Sequence, residues 1–253
     1  VSISDHKIQI PGEAVKMGDG KFIGLVSLTT DKPDALLMAR GYLHYFESFN
    51  SDRALLDSVK YYLDKTAEKN DSYSAVLIHY YYLQQDYKNI ITTSSAFKKL
   101  TKLDAWTAYR VGEAFLNTQS YTEAATYFQQ AVNEEKYNLD YNFKLATAKI
   151  FSGKSEEAEN LLQFIVAENP TYHMAWNNLG VLQAGKGNYL EAEKSFTKAI
   201  QLDPDYVLAR IKLAELFIAT RQRTKAREAI SYLEKYYPEL QELPKLTLQL
   251  RSI

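Results

Sequence analysis

The sequence predicts an all-α fold, a right-handed α-solenoid of stacked antiparallel helical hairpins. Three observations carry that expectation. First, residues 105–240 repeat without slippage: Gly112, Ala146, Gly180 and Ala214 are evenly spaced, and Ala124, Ala158, Ala192 and Ala226 share the same step. Bulky positions share it too, with Val111, Leu145, Leu179 and Leu213 in one row and Phe128, Leu162, Phe196 and Ile230 in another. A fixed period across several kinds of position means one structural unit copied and stacked. Second, apolar residues within a unit recur at helical spacing. Third, 46% hydrophobic and 24% charged residues, with only 10 Gly and 6 Pro in 253, suit a helical repeat rather than a disordered or all-β chain.

Each element follows from its own residues. Residues 1–34 hold Pro11, Gly12, Gly18, Gly20, Gly24 and Pro33 and show no helical period. Within them Phe22-Ile23-Gly24-Leu25-Val26 reads as an extended apolar stretch, too hydrophobic for a free tail. It is expected to lie along the first repeats or to join the solenoid to an upstream domain. Residues 35–70 read as a degenerate first hairpin carrying Gly41, Tyr45, Ala54 and Tyr61, with its loop at Asn50-Ser51-Asp52. Residues 71–104 keep the phase through Leu77, Tyr81, Tyr87, Ile90 and Phe97, but Ile78 and Ile90 stand at the two small positions, which predicts a wider helix crossing.

Four regular units follow at 105–138, 139–172, 173–206 and 207–240. In residues 173–206, Trp176, Leu179, Gly180 and Gln183 fall on one face of a first helix. Gly187 and Asn188 break the pattern as turn residues. Ala192, Phe196 and Ala199 then mark one face of a second helix, which Asp203 and Pro204 stop. Gly180 and Ala192 are small because the two helices cross there. The tail, 241–253, is expected to form a C-terminal cap, although Leu246, Leu248 and Leu250 alternate in a way that also permits a strand. Counting the degenerate units gives about six hairpins.

This pattern resembles the tetratricopeptide repeat (TPR) family. The stretch Trp176-Asn177-Asn178-Leu179-Gly180, then Asn188-Tyr189-Leu190-Glu191-Ala192, Phe196, Ala199 and Pro204, follows the family signature, with Gln183 where the signature has Tyr. Pro170, Pro204 and Pro238 close three units on the same period, and Lys136 stands in that place in residues 105–138. The resemblance implies a non-catalytic protein–protein interaction scaffold whose first helices line a concave groove. A fainter likeness links Ser4-Asp5-His6-Lys7-Ile8 to the stretch between the haem domain and the repeats of some bacterial multihaem cytochromes. The chain has no Cys-x-x-Cys-His motif to attach such a haem.

Composition and motifs narrow the chemistry. A net charge of -1 supplies no basic field for nucleic acid. No apolar run is long enough for a membrane-spanning helix, so no direct membrane insertion is expected, and the reading is of a soluble, bacterial protein of the cytoplasm or periplasm. The absence of cysteine removes disulfides, thiolate catalysis and Cys-based metal sites. The chain begins at Val1 without a signal-peptide pattern, which reads as a processed chain or a domain of a longer one. His6, His44, His79 and His173 form no paired metal motif. Gly18-Asp19-Gly20 lacks the rest of a phosphate loop, and no Gly-x-Ser-x-Gly elbow occurs. Glu123, Glu156, Glu157 and Glu191 fall at second-helix starts, where they complement the helix dipole. No enzyme activity, cofactor or metal is expected.

The function is therefore expected on the groove. The resemblance places His79, Tyr82, Trp106, Tyr109, Glu113, Asp140, Phe143 and Asn177 in it as ligand-binding residues. The aromatic members would bury apolar side chains of a bound protein or peptide, and Glu113, Asp140 and Asn177 would fix its polar register. Exposure is expected for His79, Tyr82, Trp106 and Tyr109, and core packing for Phe143, Ile150, Leu208 and Ile218. Arg110, Lys144 and Lys212 adjoin the groove but do not reproduce the Lys-Asn-Asn-Lys-Arg clamp of the family's chaperone-binding members. The alternative is an assembly or scaffold subunit, or the C-terminal domain of a larger protein, that contacts partners through its N-terminal segment or convex face. The 20 tyrosines, among them Tyr61, Tyr62, Tyr80, Tyr81, Tyr236 and Tyr237, read as amphipathic filler between stacked helices with the hydroxyl reaching water, or alternatively as a convex self-association surface.

Overall fold

Helix starts repeat with the period of the sequence. The computed structural model describes residues 3–4, 7–8, 15–16, 22–23, 34–48, 53–96 and 103–252. Residues 5–6, 24–26, 50–52 and 97, on which part of the reading above falls, lie outside the described residues. First helices are α1 (Ala35–Ser48), α3 (Asp71–Leu83), α5 (Ala105–Asn117), α7 (Leu139–Phe151), α9 (His173–Gly185) and α11 (Val207–Ala219). Second helices are α2 (Arg53–Lys65), α4 (Tyr87–Ala96), α6 (Tyr121–Glu134), α8 (Ser155–Glu168), α10 (Tyr189–Leu202) and α12 (Arg223–Tyr236), and α13 (Leu243–Arg251) follows. From α3 and α4 onward the starts in both series are evenly spaced, one sequence repeat apart. In the N-terminal segment β1 (Ile3–Ser4) pairs antiparallel with β2 (Lys7–Ile8), and β3 (Val15–Lys16) with β4 (Phe22–Ile23).

Local chemistry sets these boundaries. Asn70, Asp104 and Asn138 cap α3, α5 and α7 by accepting from the Tyr73, Thr107 and Tyr141 amides at 3.0, 3.0 and 3.2 Å. Tyr172 and Tyr206 occupy the same place before α9 and α11 without a side-chain cap. The turn from first to second helix needs one left-handed residue. Gln85, Gln119, Gly153, Gly187 and Arg221 supply it with φ of 58°, 61°, 79°, 80° and 57°. Only Gly153 and Gly187 advertise that requirement in the sequence.

The helix crossings are matched in volume. A Cβ on Gly112 would lie 2.7 Å from the Phe128 ring, and one on Gly180 2.7 Å from the Phe196 ring. In the alternate units Ala146 and Ala214 fill that small position, with Leu162 and Ile230 in place of the ring, and all four are nearly or fully buried. A second periodic device ties α7, α9 and α11 to the loops before them. Asn142 Nδ2 donates to the Lys136 carbonyl (2.8 Å), Trp176 Nε1 to that of Pro170 (3.0 Å) and Arg210 Nε to that of Pro204 (3.0 Å). Three unrelated side chains thus make one bond at the same place in successive repeats.

The chain divides into two units, residues 1–86 with 93–100, and residues 87–92 with 101–253. In the first, Met38, Leu43, Val59 and Leu63 form the centre of a core shared by α1, α2 and α3, and Tyr42 stacks on Tyr62 at 5.6 Å. Gly41 is half-buried and Ala54 exposed, whereas Tyr42 and Leu56 are buried, so the small residues of the degenerate hairpin do not mark its packed positions. In the second unit α7 packs on α9 and α9 on α11, in addition to the contacts within hairpins. The tail forms helix α13 rather than a strand, and its Leu243 and Leu246 join the core built by Ile230 and Leu233.

Candidate binding face

The first helices of the second unit carry a stripe of half-buried aromatic side chains that the chain itself props in place. On α5, Trp106 and Tyr109 are partly exposed. The Arg110 guanidinium lies over the Trp106 ring, and Arg110 is 6% exposed, so burial strengthens the cation–π contact. The Tyr109 ring meets Tyr141 of α7 at 5.0 Å and Phe128 at 5.7 Å, which fixes its plane. On α7, half-buried Phe143 meets the Tyr172 ring at 5.4 Å. On α11, Leu208 is 44% exposed.

The polar residues expected to read a ligand are already engaged. Glu113 on α5 takes the Lys144 ammonium of α7 at 2.7 Å. Exposed Asp140 accepts the Tyr172 hydroxyl at 2.7 Å. Burial, then the hydrogen bond to Asp140, then that carboxylate's charge push the Tyr172 phenol well above its ordinary range. The Glu113–Lys144 pair bridges successive repeats, and the Asp140 bond fixes the Tyr172 ring that Phe143 meets, so their first role is positioning. Asn177 is 1% exposed, against the expectation of a groove side chain. It donates to Asn178 Oδ1 at 3.2 Å, and its own Oδ1 has no hydrogen-bond partner among the described residues.

The first unit revises the expectation further. His79, expected to be exposed, is 7% exposed, and its Nε2 lies 2.7 Å from Glu47 Oε1 of α1. A ring locked in that pair does not present itself to a ligand. Tyr82 is half-buried on α3, and its neighbour Tyr80 is buried. Leu208 corrects the reading in the other direction, since it was assigned to the core, whereas Ile218 is buried as expected. Phe143 and Ile150 are partly buried against a core that includes Leu162 and Leu179.

Tyr172 is the residue that sequence reasoning missed. It stands where Asn70, Asp104 and Asn138 cap their helices, and it serves Phe143 and Asp140 instead. The available signal was Tyr206 at the same place in the next repeat, whose ring meets His173 at 4.8 Å. Among the described residues no group of three or more His, Asp or Glu side chains could hold a metal ion. No described helix is long and apolar enough to cross a membrane.

Residues 173–206 match the tetratricopeptide repeat family, and α3 to α8, α11 and α12 keep the helix starts of that unit in register. The chain carries a tetratricopeptide repeat. Its architecture, a TPR solenoid, is that of protein-interaction scaffolds. Protein O-mannosyl-transferase TMTC3 of Mus musculus is 29% identical over 159 residues, and the Homo sapiens protein 24%. The match covers 57% of this chain and 17% of those relatives, so the chain spans a small part of their length. Among solved structures, the type IV pilus biogenesis factor PilW is similar at a TM-score of 0.68 and 16% identity, over 84% of this chain and 98% of its own. Pseudomonas aeruginosa PilF gives 0.64 and 14%, over 85% and 99%. YrrB, described as a TPR protein with an unusual peptide-binding site, gives 0.56 and 18%, over 85% and 100%. At such identities the likeness to these structures is one of fold.

Proposed function

We propose that this TPR protein is a non-catalytic interaction module that binds a protein segment along the concave side of its second unit. The observation that carries the reading is the run of partly exposed Trp106, Tyr109 and Phe143 on consecutive first helices, each held by a neighbour from its own or the next repeat. Rigid aromatic side chains bury much ligand area while ordering few torsions. Pre-arranged side chains also lower the entropy lost on binding. Glu113 and Asp140 act through Lys144 and Tyr172 to hold the stripe, whereas buried Asn177 takes no part in contact with a ligand. YrrB, with its peptide-binding site on a similar fold, makes a peptide ligand the natural candidate.

The test is capture from lysate of the native organism by this chain and by its Trp106→Ala/Tyr109→Ala variant, after circular dichroism has established equal helicity. Loss of a captured protein in the variant, with capture kept after deletion of residues 1–30, is the expected result. Equal capture by both, with loss on the deletion, refutes concave binding and moves the contact to the N-terminal segment.

A further inference from the structure

From α6 to α12 the second helices carry a charge gradient that the first helices beside them lack. Helix α6 has two acids and no base, and α8 has four acids and no base, of which Glu157 pairs with Lys149 and Glu159 with Lys186, leaving Glu156 and Glu168 as the charges α8 offers. Helix α10 has two of each, and α12 has four bases against two acids. The dipole argument accounts for Glu123, Glu156, Glu157 and Glu191 at second-helix starts. It fails at α12, which opens with Arg223, Lys225 and Arg227 and has no acid in its first turn. Something other than helix stability is served there.

These charges sit on an outer layer. First helices pack on one another, α7 on α9 and α9 on α11, which leaves second helices on the far side. Glu123, Glu156, Arg223 and Arg227 are all exposed. One ion pair links two members of the layer, for Lys225 of α12 takes Glu193 of α10 at 2.8 Å. The layer also exposes apolar area at both ends and between them. Tyr137, in the loop after α6, is 70% exposed, Leu190 on α10 71% and Tyr236 on α12 53%.

We infer that this outer face is a homodimer interface, in which the acidic α6–α8 end of one copy faces the basic α12 end of a second. A surface acidic at one end and basic at the other is complementary to itself when turned through a two-fold axis near the neutral α10. The same turn brings Tyr137 of one copy towards the Tyr236 end of the other, adding the apolar burial that exposed ion pairs alone do not give. The two-fold arrangement closes, so the product is a dimer and not a growing chain. The inference is independent of what the concave side binds.

The test is sedimentation equilibrium of the full chain in low-salt and high-salt buffer, with two charge-reversal variants. Glu123→Lys/Glu156→Lys makes both ends basic, and Arg223→Glu/Arg227→Glu makes both acidic. The expected result is a dimer in low salt, weakened by added salt. Each variant alone should associate about tenfold more weakly or worse, since every reversal counts twice across a two-fold axis. Mixing the two variants, or combining all four substitutions in one chain, should restore the dimer. A chain monomeric in low salt overturns the inference, and so does an oligomer indifferent to salt and to the substitutions. Growth beyond the dimer overturns the two-fold arrangement, and failure of the mixture to rescue overturns the pairing of ends. Far-ultraviolet circular dichroism on each variant separates lost association from lost fold.

Discussion

Replacing Gly180 by Ala tests whether adjacent repeats are matched in volume at their helix crossings. A Cβ there would lie 2.7 Å from two carbons of the Phe196 ring and 3.0 Å from a third. The ring is 2% exposed and has little room to withdraw. Overpacking of this kind costs about 1–3 kcal/mol, while Ala gains about 1 kcal/mol over Gly in a helix interior, so Gly180→Ala should lose about 1 kcal/mol net. Phe196→Leu removes three carbons from a buried position and should lose about 2 kcal/mol. The double variant recreates the Ala146/Leu162 combination, which the neighbouring unit holds fully buried. It relieves the clash and keeps the propensity gain, so it should lose only about 1 kcal/mol, against about 3 kcal/mol for independent sites. Urea titrations of the four proteins, followed by circular dichroism, close the cycle. Strict additivity would refute the volume-matching argument, because the two positions would then not share one space.

Two further predictions rest on local geometry. Gln119→Gly and Arg221→Gly should each stabilise by about 0.5–1 kcal/mol, because both residues hold φ near 60°. Gly153→Ala and Gly187→Ala should each destabilise by about 1 kcal/mol, although nothing lies within 4 Å of either added Cβ, so only backbone strain is involved. Urea midpoints that move in the opposite direction would sink this account of the turns. Tyr172 gives the pH prediction. Its folded pKa is raised above the unfolded value, so its contribution to stability is full below about pH 10 and is lost as pH rises through the folded value. In an absorbance titration Tyr172 should ionise late, Tyr172→Phe should remove that late component, and Asp140→Asn should advance it. A titration unchanged by Tyr172→Phe refutes the assignment.

The sequence by itself determined the repeat. The period at Gly112, Ala146, Gly180 and Ala214, the helical spacing and the turn at Gly187 all encode short-range geometry, and each unit meets the same neighbour at the same distance along the chain. It also marked Gly180 and Ala192 as the small residues of a helix crossing, but that the Phe196 ring is what lies against Gly180 came from the tertiary structure. The αL positions at Gln85, Gln119 and Arg221 were hidden, because backbone conformation there is imposed by the two flanking helices and not by residue type. Only the tertiary structure decided which side chains on the first helices remain available. Glu47 and Lys144, each from an adjacent helical hairpin, occupy His79 and Glu113, and Tyr172, from the loop that leads into α9, occupies Asp140. A groove position read from one repeat cannot report those pairings, because exposure depends on what the next copy of the unit brings against it, and the copies differ at those positions.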